Sequence, residues 1–367
     1  MSEAERTPLE ERLVKLIEDH GPIRVGDFMT DVLVHPQHGY YSTQAALGAT
    51  GDFTTSPEIS QIFGELVGSW LVHAWESIGA PSAFSLVEMG PGRGTLMADI
   101  LRVAKVRPAF LKAVHVYMIE ASGRMRYAQK RLLHDAGIRI TWADKLEDVP
   151  PGPVLMVANE FFDCLPIRQF IRTAERSDSP WRERLVGLDE EKNLVFVLSQ
   201  DAYTDREGMP QGAQPESIFE ISAESGAVVS EIASRLSETK GRALIIDYGH
   251  GRSGYGDTLQ AMRDHKPWPV LKTPGLADLT AHVDFAALAR HARREGLRVD
   301  GPVRQGDFLE RLGLKVRLET LEKAASDSAR ENLRSGALRL VDPKGMGSLF
   351  KVLSLSSPGS QVPPGFE

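Results

Sequence analysis

Leu86-Val-Glu-Met-Gly-Pro-Gly-Arg-Gly-Thr-Leu96 decides the fold of this 367-residue chain. Ser85 to Val87 reads as the end of a buried strand. Glu88 follows, then glycines at 90, 92 and 94, then a helical run from Leu96. A strand that turns through glycines into a helix N-terminus is a ligand platform, because glycine permits the turn and lets the backbone approach a bound molecule. The spacing is G-x-G-x-G, not the G-x-G-x-x-G of a dinucleotide site. No Lys follows the last glycine, so the phosphate-binding G-x-x-x-x-G-K-[ST] pattern is absent. An acid followed by such a turn suits a ligand that lays an amino-acid moiety and a nucleoside over the loop. S-adenosylmethionine is one.

Composition sets the outer limits. With 43 Lys and Arg against 50 Asp and Glu, the net charge is −7. That argues against nucleic acid as the main partner, since phosphate binding wants a basic surface. Hydrophobic content of 42% and charged content of 25% are those of an ordinary globular protein. Cys164 is the only cysteine, which excludes an intrachain disulfide and points to a reducing compartment. No apolar run approaches a membrane span. Met1 to Arg12 carries four Glu and two Arg, neither a signal peptide nor a basic presequence, so the expectation is a bacterial-type cytoplasmic setting.

Working outward, Thr7-Pro8-Leu9-Glu10 is a helix start and Gly21 a stop. Residues 35–41 form a ring-rich loop, in which His35 and His38 are too few for a metal site. Residues 49–58 form a polar, glycine-bearing loop, with Thr55 and Glu58 spaced as a capping box for the helix that follows. Ile59, Ile62, Phe63, Leu66, Val67, Trp70, Leu71, Ala74 and Trp75 make that helix strongly amphipathic. The loop is expected to border the site as a lid, through Gly51, Asp52, Thr55, Ser56 and Glu58. Gly-Asp-Phe recurs at 26–28, 51–53 and 306–308, read as helix starts rather than repeats.

Four further strands are expected at 114–119, 138–142, 154–158 and 243–249, with a last antiparallel pair near 297–303 and 348–355. Glu120, at the tip of the second strand, can accept both ribose hydroxyls. A helix is expected from Ala121 to Gly137. Asp144 and Leu146 follow the third strand, where an adenine edge would be met. The fourth strand runs into Asn159-Glu-Phe-Phe-Asp163, and ligands of open parallel sheets bind beyond the carboxyl ends of strands. Asp247 and Tyr248 end the fifth strand and are placed on the substrate side. Trp181 to Leu188 and Asn193 to Leu198 read as an inserted hairpin. Gly249 to Pro274 reads as loop.

These stretches together resemble a known family. Gly39-Tyr-Tyr41, Gly51-Asp-Phe-Thr-Thr-Ser-Pro-Glu58, Glu88-Met-Gly-Pro-Gly-Arg-Gly-Thr95, Asn159-Glu-Phe-Phe-Asp163 with Leu165-Pro166, Ile246-Asp-Tyr-Gly249 and Asp278-Leu-Thr-Ala-His-Val-Asp-Phe285 are similar to the MidA-type methyltransferases. That family is related to the mitochondrial assembly factor that methylates an arginine of a respiratory complex I core subunit. The resemblance runs from about residue 8 to about residue 355. It implies a class I S-adenosylmethionine-dependent methyltransferase: an α/β, Rossmann-like fold with a seven-stranded, mostly parallel sheet. It further implies protein arginine methylation, with a partner such as a complex I (NADH dehydrogenase) subunit.

The expected organisation is a helical extension and lid over 1–80, a methyltransferase core over 81–357 with an insertion at about 172–226, and a flexible tail over 358–367. Glu88, Gly90, Gly92, Gly94, Thr95, Glu120, Asp144, Leu146 and Asn159 are the cofactor candidates. Glu160, Asp163 and Asn159 are the catalytic candidates, the two acids being expected on one face of a helical turn to hold a substrate guanidinium. Two alternatives compete: an assembly scaffold with a vestigial S-adenosylmethionine site, and a nicotinamide oxidoreductase.

Overall fold

The computed structural model describes residues 6–43, 55–173 and 181–367. The chain divides into two units. One gathers residues 55–162, 228–251 and 283–367; the other gathers 6–43, 163–227 and 252–282, less the undescribed residues within them. The extension expected over 1–80 is therefore split between them. The chain leaves the larger unit at Asp163, and only tertiary contacts reveal that it comes back.

The larger unit is built on one sheet. Its strands are β1 (Phe84–Met89), β2 (Val114–Ile119), β3 (Ile140–Ala143), β4 (Val154–Asn159), β5 (Gly241–His250), β6 (Arg298–Arg304) and β7 (Phe350–Ser356). They lie in the order 3-2-1-4-5-7-6, and a two-residue strand at Val283–Asp284 adds to the end of β5. β1 pairs in parallel with β2 and β4, β2 with β3, and β4 with β5. Only β7 runs against its neighbours β5 and β6. The seven main strands are thus mostly parallel, as expected, and the short strand makes eight in all. Strands buried on both faces read as unbroken apolar runs. That is why Val154–Ala158 and Ala243–Ile246 stand out in the sequence, and all nine are buried.

The order reverses between β1 and β4, and a sheet of this kind opens a crevice at that point beyond the strand ends. Helix Gln61–Ser77 covers this part of the sheet. Ile62, Phe63, Val67, Trp70 and Leu71 are each at most 1% exposed and pack with Leu86, Val116, Leu155 and Leu244. Each such side chain contributes about 1.5–3 kcal/mol by burial. The helix does not start where the sequence suggested. Thr55 caps only a one-turn helix, Ser56–Ile59, and its side chain makes no capping bond. Ser60 is extended and ends that turn, and its Oγ accepts from Ile62 N–H at 3.3 Å to open the long helix.

Other boundaries shift for local reasons. Ser122 caps a helix that spans only Gly123–Leu132. Residues 358–367, expected as a flexible tail, are packed. The carbonyl of Gln361 accepts from Arg242 at 2.8 Å, that of Pro364 from Trp70 Nε1 at 3.1 Å, and the Phe366 ring lies 5.4 Å from Phe308.

The smaller unit holds helices Pro8–His20 and Val25–Val34 and an antiparallel five-stranded sheet. The expected hairpin is there as Trp181–Leu188 paired with Leu194–Tyr203. Arg168–Arg172 and Ile218–Ile221 extend it. Residues 249–274, read as loop, contain two strands, Gln260–Arg263 and Lys266–Trp268, and the first also pairs with Asp278–Thr280. Leu9, Leu13, Phe28, Met29 and Val186 form this unit's core.

Candidate active site

The glycine turn follows β1. Gly90, Gly92 and Gly94 have φ of 60°, 51° and 86°, the left-handed region that side chains avoid. A Cβ on Gly90 would stand 2.8 Å from the Phe161 ring, so this glycine also lets that ring close onto the turn. A Cβ on Gly92 would meet nothing within 4 Å. Gly94 is the N-cap of helix Thr95–Ala104, which sets Thr95 in its first turn. Glu88 sits one residue before the end of β1, on the same face as Leu86 because strand side chains alternate. It is 3% exposed, and its Oε2 has no hydrogen-bond partner. Burial pushes its carboxyl up to about 8.

Glu120 lies just past β2 and is half-buried. Its Oε1 accepts from Ser122 N–H at 2.8 Å and its Oε2 from Gln129 Nε2 at 3.1 Å. Burial raises its pKa against the lowering effect of those bonds. Gln129 was missed by the sequence reading. Its Nε2 also donates to the Gly92 carbonyl at 2.7 Å, while its Oε1 accepts from Trp142 Nε1 at 2.8 Å. One amide thus ties the glycine turn, Glu120 and β3 together. The available signal was a polar residue one turn after Met125 on the inward face of its helix; Met125 and Gln129 are that helix's two buried residues. Asp144 is exposed and bound by Arg126 at 2.6 Å, whereas Leu146 is buried.

β4 ends at Asn159, opposite Ile246 of β5. Asn159 is 9% exposed; its Oδ1 has no partner and its Nδ2 donates to Glu160 Oε1 at 3.1 Å. Glu160 has φ of 52°, and the N–H of Ser56 donates to its Oε1 at 2.9 Å. Residues 160–163 form bends and the start of a turn, not the expected helical turn, because the backbone is drawn to Asp247. Asp247 Oδ2 accepts from the N–H groups of Phe161 and Phe162 at 3.1 and 2.9 Å. Asp247, expected on the substrate side, is therefore fully buried as a backbone clamp. Tyr248 is buried on the opposite face of β5, with Leu244 and Ile246.

Of the expected lid, Gly51 and Asp52 lie outside the described residues. Thr55 is half-buried, Ser56 is fully buried with an unpartnered Oγ, and Glu58 pairs with Arg93 of the glycine turn at 3.6 Å. Asp163 belongs to the smaller unit and is 6% exposed. It lies near enough to Tyr41 to add to the rise in that hydroxyl's pKa, behind burial, Asp278 and Cys164.

The larger unit thus gathers unpartnered, buried acceptors (Glu88 Oε2 and Asn159 Oδ1), a glycine turn and the Glu120 carboxylate. Residues 66–303 match the model of a family of S-adenosyl-L-methionine-dependent methyltransferases. The chain belongs to that family.

Two curated relatives agree over nearly its whole length. The mouse protein arginine methyltransferase NDUFAF7, mitochondrial, is 40% identical over 95% of this chain and 84% of its own. The Drosophila melanogaster homologue is 40% identical over 91% and 82%. A Burkholderia thailandensis protein solved with S-adenosyl-homocysteine bound superposes with a TM-score of 0.82 at 26% identity, covering 97% of this chain and 93% of that one. The curated relatives are named mitochondrial, which overturns the expectation of a cytoplasmic setting. Among the described residues no helix is long and apolar enough to cross a membrane.

The cofactor of this family member is S-adenosylmethionine, and the residues present fit it. A cationic, amino-acid-bearing ligand suits buried oxygens that lack a donor, and its ribose suits Glu120. Glu88, Asn159, Glu120 and the backbone of Gly90 to Gly94 would hold it. The cofactor supplies a methyl group already activated on a sulfonium. What remains for the protein is alignment and exclusion of water.

Proposed function

We propose that the chain methylates an arginine side chain of a partner protein, with Glu160 receiving the guanidinium. The observation that supports this most directly is the carboxylate of Glu160. It follows β4 at the crevice, and two N–H groups, from Ser56 and Asn159, fix its Oε1. Arginine presents five donors in a planar fork that matches a carboxylate, and it holds its proton with a pKa above about 12. A carboxylate against the fork localises the positive charge and accepts the proton released when a guanidinium nitrogen takes the methyl group. The names of the curated relatives, which specify arginine, point the same way. The resemblance of the motifs suggests a complex I subunit as the partner.

We place Thr55, Ser56 and Glu58 at the border of the site, since Ser56 and Glu58 touch Glu160 and Arg93. Asp144 and Leu146 remain the candidates for the adenine edge. The test separates donor binding from transfer. Glu160→Gln should bind S-adenosyl-homocysteine normally, while methylarginine detected by peptide mass spectrometry in cells carrying only the variant falls by about 10²–10⁴-fold in rate. Wild-type methylarginine levels in those cells refute the assignment.

A further inference from the structure

Asp247 does more than fill the interior. It has no solvent exposure, and it lies on β5 opposite in face to Tyr248. Three backbone N–H groups converge on it: Phe161 and Phe162 on Oδ2, and Tyr248 on Oδ1 at 2.9 Å. The N–H of Glu160 donates to the carbonyl of Ile246 at 2.9 Å. The three consecutive amides that leave β4 are therefore all bound by two consecutive residues of β5. Between them they hold Glu160 at φ 52°, a region a residue with a long side chain rarely adopts. A carboxylate is the side chain with enough lone pairs for three donors; an asparagine offers one oxygen and turns an N–H toward the third. From the other side, Ser56 N–H and Asn159 Nδ2 hold the Glu160 carboxylate itself. The same turn places the Phe161 ring against Gly90, in the loop that carries the cofactor.

We infer that Asp247 is a positioning residue for methyl transfer: through the N–H groups of Phe161 and Phe162 it fixes the left-handed turn that aims the Glu160 carboxylate at the acceptor. The inference rests on the reading of Glu160 given above. Asp247 is fully buried with backbone N–H groups on both carboxylate oxygens, so its loss is expected to act on the geometry of transfer and not on cofactor binding.

The test uses Asp247→Asn, Glu160→Gln and the double variant in the full chain. Transfer is read as tritium passing from methyl-labelled S-adenosylmethionine into the protein extract of cells that lack this chain. Asp247→Asn is expected to lower kcat by about 100-fold, the scale of a small misplacement of a reacting group, with KM for S-adenosylmethionine unchanged. Amide hydrogen exchange at Phe161 and Phe162 should quicken by about tenfold or more in the same variant. The double variant should be no slower than Glu160→Gln. If Glu160→Gln transfers at the normal rate, the reading of Glu160 fails and takes this inference with it. If Glu160→Gln is inactive but Asp247→Asn is not impaired, only the positioning role is overturned. A parallel rise in KM for S-adenosylmethionine, or a loss that multiplies in the double variant, also overturns it. Should Asp247→Asn not fold, exchange in the wild-type protein decides: slow exchange at Phe161 and Phe162 supports the clamp, and exchange at the rate of an open loop overturns it.

Discussion

Glu88→Gln gives a direct measure of the site's polarity. In the folded protein the Glu88 carboxyl is pushed up to about 8 from an ordinary 4.5, because it is buried and its Oε2 has no partner. Below pH 4.5 it is protonated in both folded and unfolded chains and contributes nothing to the pH dependence. Between 4.5 and 8 the unfolded chain releases the proton while the folded chain keeps it. Each pH unit then lowers stability by about 1.36 kcal/mol, so from pH 5.5 to 7.5 the loss is about 2.7 kcal/mol. Above 8 the loss is complete. Glutamine keeps the shape and does not titrate. Its amide shifts the whole curve by a constant amount and leaves the slope free of this contribution. Urea unfolding of both cofactor-free proteins at pH 5.5, 6.5 and 7.5 gives the difference in stability. All other groups cancel in that difference, including Asp99, which burial raises to about 6. The variant should gain about 2.7 kcal/mol relative to wild type across the range. A difference that stays flat refutes the burial of an unpartnered carboxyl at the end of β1.

Glu120→Ala removes a charged acceptor worth about 1.5–3 kcal/mol, so calorimetric titration should show S-adenosyl-homocysteine binding at least about tenfold more weakly. Gln129→Leu removes the hydrogen bonds to the Gly92 carbonyl, Glu120 Oε2 and Trp142 Nε1; thermal denaturation should register about 0.5–1.5 kcal/mol for each. Gly90→Ala should destabilise the cofactor-free protein more than Gly92→Ala. Both carry the left-handed penalty of about 1–2 kcal/mol, but only the Gly90 Cβ meets the Phe161 ring. Trp70→Ala should cost about 3–5 kcal/mol in chemical denaturation, since it empties the centre of the long helix and frees the Pro364 carbonyl.

The sequence was legible where the governing rule is local. Val114–Ile119 and Val154–Ala158 announce buried strands by composition alone, and Gly90, Gly92 and Gly94 announce the turn because left-handed backbone there favours glycine. Asp284 is of a residue type that caps helices, and its carboxylate accepts from Ala287 N–H. What was hidden depends on partners distant in the chain. Asp247 reads as an acid at a strand tip; that its donors are Phe161 and Phe162 follows only from the pairing of β4 with β5. Gln129 reads as one polar residue on a basic helix until its helix lies against Gly92 and Trp142. The departure of the chain at Asp163 leaves no mark, since both units use ordinary globular composition.

The position of β7 has a consequence for synthesis. Of the strands of this sheet it is made last, yet it lies between β5 and β6 and not at an edge. Until residue 356 has left the ribosome, β5 presents one row of unsatisfied backbone groups along Ala243 to Tyr248, and β6 presents another. Such rows are templates for pairing with other chains. The nascent protein therefore carries this aggregation hazard until β7 has emerged. A premature stop between Arg304 and Phe350 should yield a product that keeps the glycine turn and Glu120 but is claimed by chaperones and proteases.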